Sequence, residues 1–190
     1  MDLGGGFGVY YTFEDKPFDL EIYLGNLARY LGQEIVEKKL AIKEVWLEPG
    51  RSLVNDAGSM LYTVGDIKRL ADGVNYLFID GGMGDNLRPS LYQAHYEAVI
   101  ANKMHEEEKD LWRIAGKYCE SGDVFSMNCP LAEPKTGDLL LMNRTGAYTF
   151  SMFSNYNRLR RPAVVFVKEG KSRLAVKRES LEDLVHLDVL

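Results

Sequence analysis

The residues around which this chain is organised are Leu47-Glu48-Pro49-Gly50-Arg51. They set a carboxylate, a proline, a glycine and a guanidinium at the end of the apolar run Val45-Trp46-Leu47, which reads as a buried strand. Proline has no N–H to give a β-ladder, so the strand stops there. Glycine lets backbone N–H groups approach an anion closely. Arginine brings a planar, forked cation matched to phosphate or carboxylate. An acid beside an anion site suits a ligand with a phosphate at one end and a basic nitrogen at the other. The same residues could also make a turn closed by a surface salt bridge.

Four more polar clusters bear on that choice. Gly4-Gly5-Gly6-Phe7-Gly8 can form a nest of N–H groups for a phosphate, or a flexible leader. Asp80-Gly81-Gly82-Met83-Gly84-Asp85-Asn86-Leu87-Arg88-Pro89-Ser90-Leu91-Tyr92 is a shaped loop offering a cation at Arg88 and a hydroxyl at Tyr92. Gly116–Asp123 sets the thiol of Cys119 next to the carboxylate of Glu120, between glycines; the ordinary alternative is a small buried cysteine. Thr145-Gly146-Ala147-Tyr148, followed by Ser154-Asn155-Tyr156-Asn157, presents a tyrosine able to close over a phosphate or to fill a core.

Other chemistries fit poorly. His95, His105 and His186 have no metal-ligand spacing with one another or with the cysteines, so no metal site is expected. The glycines between Asp80 and Asp85 fix no facing carboxylate pair. No G-x-S-x-G elbow is present, and Gly4–Gly8 has the spacing of neither a dinucleotide fingerprint nor a P-loop.

These clusters need elements to hold them. From Asp19, the residues Leu20, Tyr23, Leu24, Leu27, Leu31 and Ile35 recur at helical spacing. Asp19 suits the N-cap, and Lys38 and Lys39 suit the C-terminal end of the dipole. Glycine loop, amphipathic helix and short apolar strand make one passage of an α/β barrel, in which chemistry gathers after the strands. Both anion-friendly loops then lie on one barrel face. A glycine cluster so near the first residue implies that the chain begins in the middle of a larger fold. After Arg51 the texture becomes β: strands are expected at 60–64, 74–79, 98–100, 111–114, 139–142, 163–167 and 174–176, with a hairpin at Gly170 and a short helix over 180–185. The boundary falls near residues 52–58. The expected organisation is residues 1–55 as the last βα units of a (β/α)8 barrel, and 56–190 as an antiparallel β barrel or sandwich.

Composition agrees with an ordinary globular chain: 190 residues, 46% hydrophobic and 27% charged. A net charge of −5 argues against nucleic acid. No apolar run approaches the roughly 20 residues of a membrane span. Two cysteines make no disulfide framework, which fits a cytoplasmic protein.

The ordered set DLGGGFG, LEPGRSLV, DGGMGDNLRPSLY, CESGDVF and TGAYTFSMFSNYNRLRRPAVV resembles the C-terminal half of the diaminopimelate decarboxylase family. The resemblance runs the whole length of the chain, in order. It implies an α/β barrel with a C-terminal β domain, pyridoxal 5′-phosphate as cofactor, and conversion of meso-diaminopimelate to L-lysine and carbon dioxide. It also implies a head-to-tail homodimer. Carried onto matching positions, it gives Gly6, Glu48, Pro49, Gly50, Arg51 and Tyr148 to the cofactor, with Glu48 facing the pyridine nitrogen. It gives Arg51, Arg88 and Tyr92 to the substrate's far carboxylate and Glu120 to its far ammonium, and it counts Tyr148 among the substrate-binding residues as well. Cys119 would be the proton donor, the Cys119–Glu120 pair coming from the partner subunit. The family's cofactor-binding lysine falls in the other half, and Lys43 does not match it, so this chain alone is expected to be inactive. Two alternatives stay open: a non-catalytic homologue that binds a partner, and a decarboxylase of a related diamino acid.

Overall fold

The computed structural model describes residues 1–12, 14–16 and 19–189. Strand β1 (Asp2–Gly5) and strand β2 (Trp46–Glu48) lie side by side and parallel, joined through helix α1 (Leu20–Glu37). Asp2 stands opposite Trp46 and Gly5 opposite Glu48. Gly4 and Gly5 therefore belong to the strand, and the loop begins at Gly6. A Cβ on Gly5 would meet the Glu48 carbonyl oxygen at 1.8 Å, so only glycine permits the approach. Because the pair is parallel, both C-terminal tips emerge together.

The Asp19 carboxylate caps α1, accepting the Ile22 N–H at 2.9 Å. Past its last residue Lys39 turns left-handed, with φ 48°. Leu24, Leu27, Leu31 and Ile35 are only half-buried, and Ile22, Tyr30 and Val36 are exposed. The Val45–Leu47 run is exposed, not buried as its apolar character predicts. Trp46 is 63% exposed, because among the described residues β2 pairs with β1 alone and nothing covers its faces.

Two short 3-10 turns, Gly50–Leu53 and Asn55–Ala57, lead into the main sheet. Its strands are β3 (Met60–Arg69), β4 (Asn75–Ile79), β5 (Ala98–Ile100), β6 (Asp110–Ala115), β7 (Val124–Leu131) and β8 (Leu139–Met142). They are ordered β5-β8-β3-β4-β6-β7. The short helix α2 (Arg88–Tyr92) lies between β4 and β5. The sheet is mixed, not antiparallel throughout as expected: β4 and β6 run parallel. The chain leaves β4, crosses to pair β5 with β8 at the far edge, and returns along β6 in the direction of β4. The two edges nearly meet, with Cys129 Sγ on β7 3.8 Å from the Ala98 carbonyl oxygen on β5.

Alternating residues of these strands point inward. Val64, Leu77, Trp112, Ile114, Leu131 and Leu140 are fully buried in one core. A separate antiparallel hairpin, β9 (Val164–Lys168) and β10 (Lys171–Val176), turns at Gly170 as expected. Near the end a single 3-10 turn spans Glu182–Leu184.

Candidate anion pocket

The tips of β1 and β2 open into one pocket of about 490 Å³, lined by Gly6, Gly8, Glu48, Pro49, Gly50, Arg51 and Tyr148. Gly6 and Gly50 have positive φ, +79° and +35°, so their N–H groups are set where a side chain would strain the backbone. A Cβ on Gly50 would stand 3.2 Å from the Tyr148 hydroxyl, which places that hydroxyl against the glycine turn.

Tyr148 reaches the pocket because its own turn is pinned to the 54–58 segment. Thr145 N–H donates to the Gly58 carbonyl at 2.9 Å and Gly146 N–H to that of Asn55 at 3.0 Å. Gly146 packs so tightly that a Cβ would meet the Val54 carbonyl oxygen at 1.8 Å. Tyr148 itself is left-handed, φ 59°.

Two guanidiniums converge on its ring. Arg51 lies 5.2 Å from the ring centroid and Arg88 6.0 Å. Arg51 Nη1 donates to the Tyr11 hydroxyl at 2.6 Å. Arg88, the first residue of α2, is buried. Its Nε donates to the Tyr96 hydroxyl at 3.1 Å, and its guanidinium lies 5.2 Å from the Tyr92 ring. Among the described residues neither arginine, nor Glu48, forms an ion pair. The alternative of a Glu48–Arg51 surface salt bridge is therefore not what this turn is for. Arg88 is thus a buried cation held by a phenol hydroxyl and aromatic rings, with no carboxylate beside it among the described residues.

Cys119 and Glu120 lie elsewhere, exposed on the turn between β6 and β7, and do not line this pocket. The alternative of a buried structural cysteine describes Cys129, not Cys119. Glu120 Oε2 accepts from the Tyr156 hydroxyl at 3.0 Å, and that bond holds the Tyr156 phenol above its ordinary value. The Tyr156 ring stacks on Tyr118, centroids 5.8 Å apart.

Asp123 ties this turn to the Gly81–Asn86 loop. Its carboxylate accepts the Tyr118 N–H at 2.8 Å and the Met83 N–H at 2.7 Å. Beside it Asp85 accepts the Gly82 N–H at 3.0 Å, and burial pushes its carboxyl up to about 6. Burial also raises Asp123. Tyr11, which lines the pocket and holds Arg51, and Tyr96, which holds Arg88, were not singled out by residue chemistry. The two tyrosines were legible only as aromatics close to a glycine loop and to Arg88.

A β sheet domain attached to a parallel strand pair, with an acid and an unpaired cation at its tips, defines a class. Residues 10–146 match the model of the pyridoxal-dependent decarboxylase C-terminal sheet domain. The chain belongs to the pyridoxal-dependent decarboxylases. It is similar to the diaminopimelate decarboxylase of Halalkalibacterium halodurans, with 48% identity over 189 residues, and to that of Bacillus subtilis, with 49% over 189. Each alignment covers 100% of this chain and 43% of the relative. Among solved structures it superposes on the M. jannaschii diaminopimelate decarboxylase in complex with L-lysine. The TM-score is 0.90 at 35% identity, over 100% of this chain and 42% of that one. The Helicobacter pylori enzyme complexed with L-lysine gives a TM-score of 0.85 at 32% identity, over 98% of this chain and 44% of that one. The chain thus spans less than half the length of these relatives.

Proposed function

We propose that this chain is the C-terminal part of a decarboxylase that converts meso-diaminopimelate to L-lysine and carbon dioxide with pyridoxal 5′-phosphate. The observation that carries the reading is the single pocket that Glu48 shares with Gly6, Gly8, Gly50, Arg51 and Tyr148. The donor set fits the cofactor: backbone N–H groups and a guanidinium for a phosphate, a carboxylate for a ring nitrogen. Bound there, pyridoxal phosphate would supply the electron sink that decarboxylation needs.

The chain's own residues do the rest. Glu48 would place an anion beside the ring nitrogen and so favour its protonated form. Gly6, Pro49, Gly50, Arg51 and Tyr148 hold the phosphate and exclude water from it. Arg51, Arg88 and Tyr92 seat the far carboxylate of the substrate, a planar task suited to guanidinium forks, and Tyr148 also borders the substrate. Glu120 receives the far ammonium group, and the Cys119 thiol delivers the proton that replaces the lost carboxyl. In this reading residues 1–55 are the last βα units of a (β/α)8 barrel and 56–190 form the β domain. Cys119 and Glu120 reach the pocket of a second copy in a head-to-tail homodimer; that they do not line the pocket of their own chain supports this. Two free cysteines support a cytoplasmic location.

The lysine that carries the cofactor belongs to the portion of the family not represented in these 190 residues, so the chain alone releases no carbon dioxide. The test is an assay on the protein extended to the family's full length. Lysine and carbon dioxide should appear in equal amounts from meso-diaminopimelate, with little turnover of lysine or ornithine. Faster turnover of either monocarboxylic amino acid overturns the substrate assignment.

A further inference from the structure

Arg51 and Arg88 come from segments far apart in the chain, yet one continuous aromatic frame holds both. Tyr11 takes the Arg51 Nη1 hydrogen bond at 2.6 Å. The Tyr11 ring packs edge-on against Tyr96, centroids 5.5 Å apart and planes at 90°. Tyr96 takes the Arg88 Nε hydrogen bond at 3.1 Å. Tyr148 closes the circuit from the other side, within 5.2 Å of one guanidinium and 6.0 Å of the other.

We propose that Tyr11 and Tyr96 are positioning residues that fix the spacing and orientation of the two arginines, and so set how tightly the site grips the oxyanion of its ligand. A hydroxyl acceptor orients a guanidinium without neutralising it, whereas a carboxylate would consume the charge needed for the ligand. Each tyrosine uses up one donor of its arginine and leaves the remaining N–H groups of the fork for an oxyanion. The edge-on ring contact makes the two acceptors one unit, because neither ring can shift without displacing the other. Tyr11 also lines the pocket itself, whereas Tyr96 is buried behind Arg88.

The inference rests on the reading of Arg51 and Arg88 as the carboxylate- and phosphate-binding pair, and the test separates the two. In the protein extended to full length, Tyr11→Phe and Tyr96→Phe keep both rings and remove one acceptor each. Each should raise KM for meso-diaminopimelate, and the Kd for L-lysine by calorimetry, about tenfold while kcat stays within about twofold. The double variant should lose less than the product of the two, as coupled residues do. Arg88→Gln is the reference for the underlying reading. If it leaves KM unchanged, that reading fails and the inference with it. If Arg88→Gln raises KM and neither phenylalanine variant does, the inference alone is overturned. A measurement on the unaltered 190-residue chain is independent of variant folding. The Arg88 Nε–H, buried and bonded to Tyr96, should give a slowly exchanging nitrogen-15 resonance at neutral pH. Its exchange at the rate of a solvent-exposed arginine overturns the proposal.

Discussion

The two cysteines differ in surroundings, and their reactivity should differ accordingly. Cys119 stands exposed on the β6–β7 turn, whereas Cys129 is buried where the sheet edges meet, and burial pushes its thiol up to about 11. Only a thiolate alkylates at a useful rate. Iodoacetamide at pH 8 should therefore label Cys119 in the folded chain and Cys129 only after denaturation, as peptide mass spectrometry would read. Equal labelling of both in the folded chain contradicts the placement. Asp85 makes a second residue-scale prediction. Its carboxyl is raised to about 6, chiefly by burial, from an ordinary value of 3.8. Between those values the folded chain binds a proton that the unfolded chain releases, so stability from this group is present below about pH 4 and is lost as pH rises through 6. Asp85→Asn keeps an acceptor for the Gly82 N–H and removes the titration. The variant should exceed the parent in stability at pH 7 by about 3 kcal/mol, with the gap closing toward pH 4. Urea unfolding at the two pH values reads it, and a gap independent of pH contradicts it.

At the scale of elements, the pocket depends on the 145–148 turn staying docked on the 54–58 segment. Gly146→Ala would drive a methyl into the Val54 carbonyl oxygen, 1.8 Å from the ideal Cβ, with backbone on both sides of the clash. The expected cost is about 2–3 kcal/mol, seen as a lower melting temperature. Because Tyr148 follows by two residues, its stacking on Arg51 should weaken as well. A melting temperature equal to the parent's would show that this docking is not tight. Legibility also varied by element. The helical spacing after Asp19 and the apolar runs 60–64, 74–79, 98–100, 111–114 and 139–142 announced α1 and five sheet strands, because each pattern is local. The strand β7 was not announced. Its Val124-Phe125-Ser126-Met127-Asn128-Cys129-Pro130-Leu131 mixes polar residues with a proline that belongs in no central strand. The proline is tolerated because β7 is an edge strand. The strand β3 runs to Arg69, five residues past its expected end, because the register shift between Val64 and Asp66 lets it continue past Gly65.

At the scale of the molecule, what one sequence conveys is the type of each residue and its local spacing, not which distant elements pair. The acid, glycine and arginine at 48–51 were readable because they are consecutive. The convergence of Arg51 and Arg88 on Tyr148, and the Tyr11–Tyr96 contact behind them, depends on four segments meeting. The parallel β4–β6 pairing depends likewise on a crossover through the far edge of the sheet. The exposed faces of α1, β2 and the β9–β10 hairpin show where apolar surface is left uncovered in this chain. Among the described residues no helix is long and apolar enough to cross a membrane, so that surface is not a membrane-spanning helix.

In the proposed function the tips of β1 and β2 form one seat for a phosphorylated pyridine. Titrating the nitrogen-15-labelled chain with pyridoxine 5′-phosphate tests it most directly, because this analogue lacks the aldehyde that would react with surface lysines. The amide resonances of Gly6, Gly8, Gly50 and Arg51 should move together along one binding curve, and Glu48→Gln should weaken that curve while Arg51→Gln abolishes it. Shifts confined to other residues, or movement of the glycine tip without the Gly50–Arg51 turn, would contradict it.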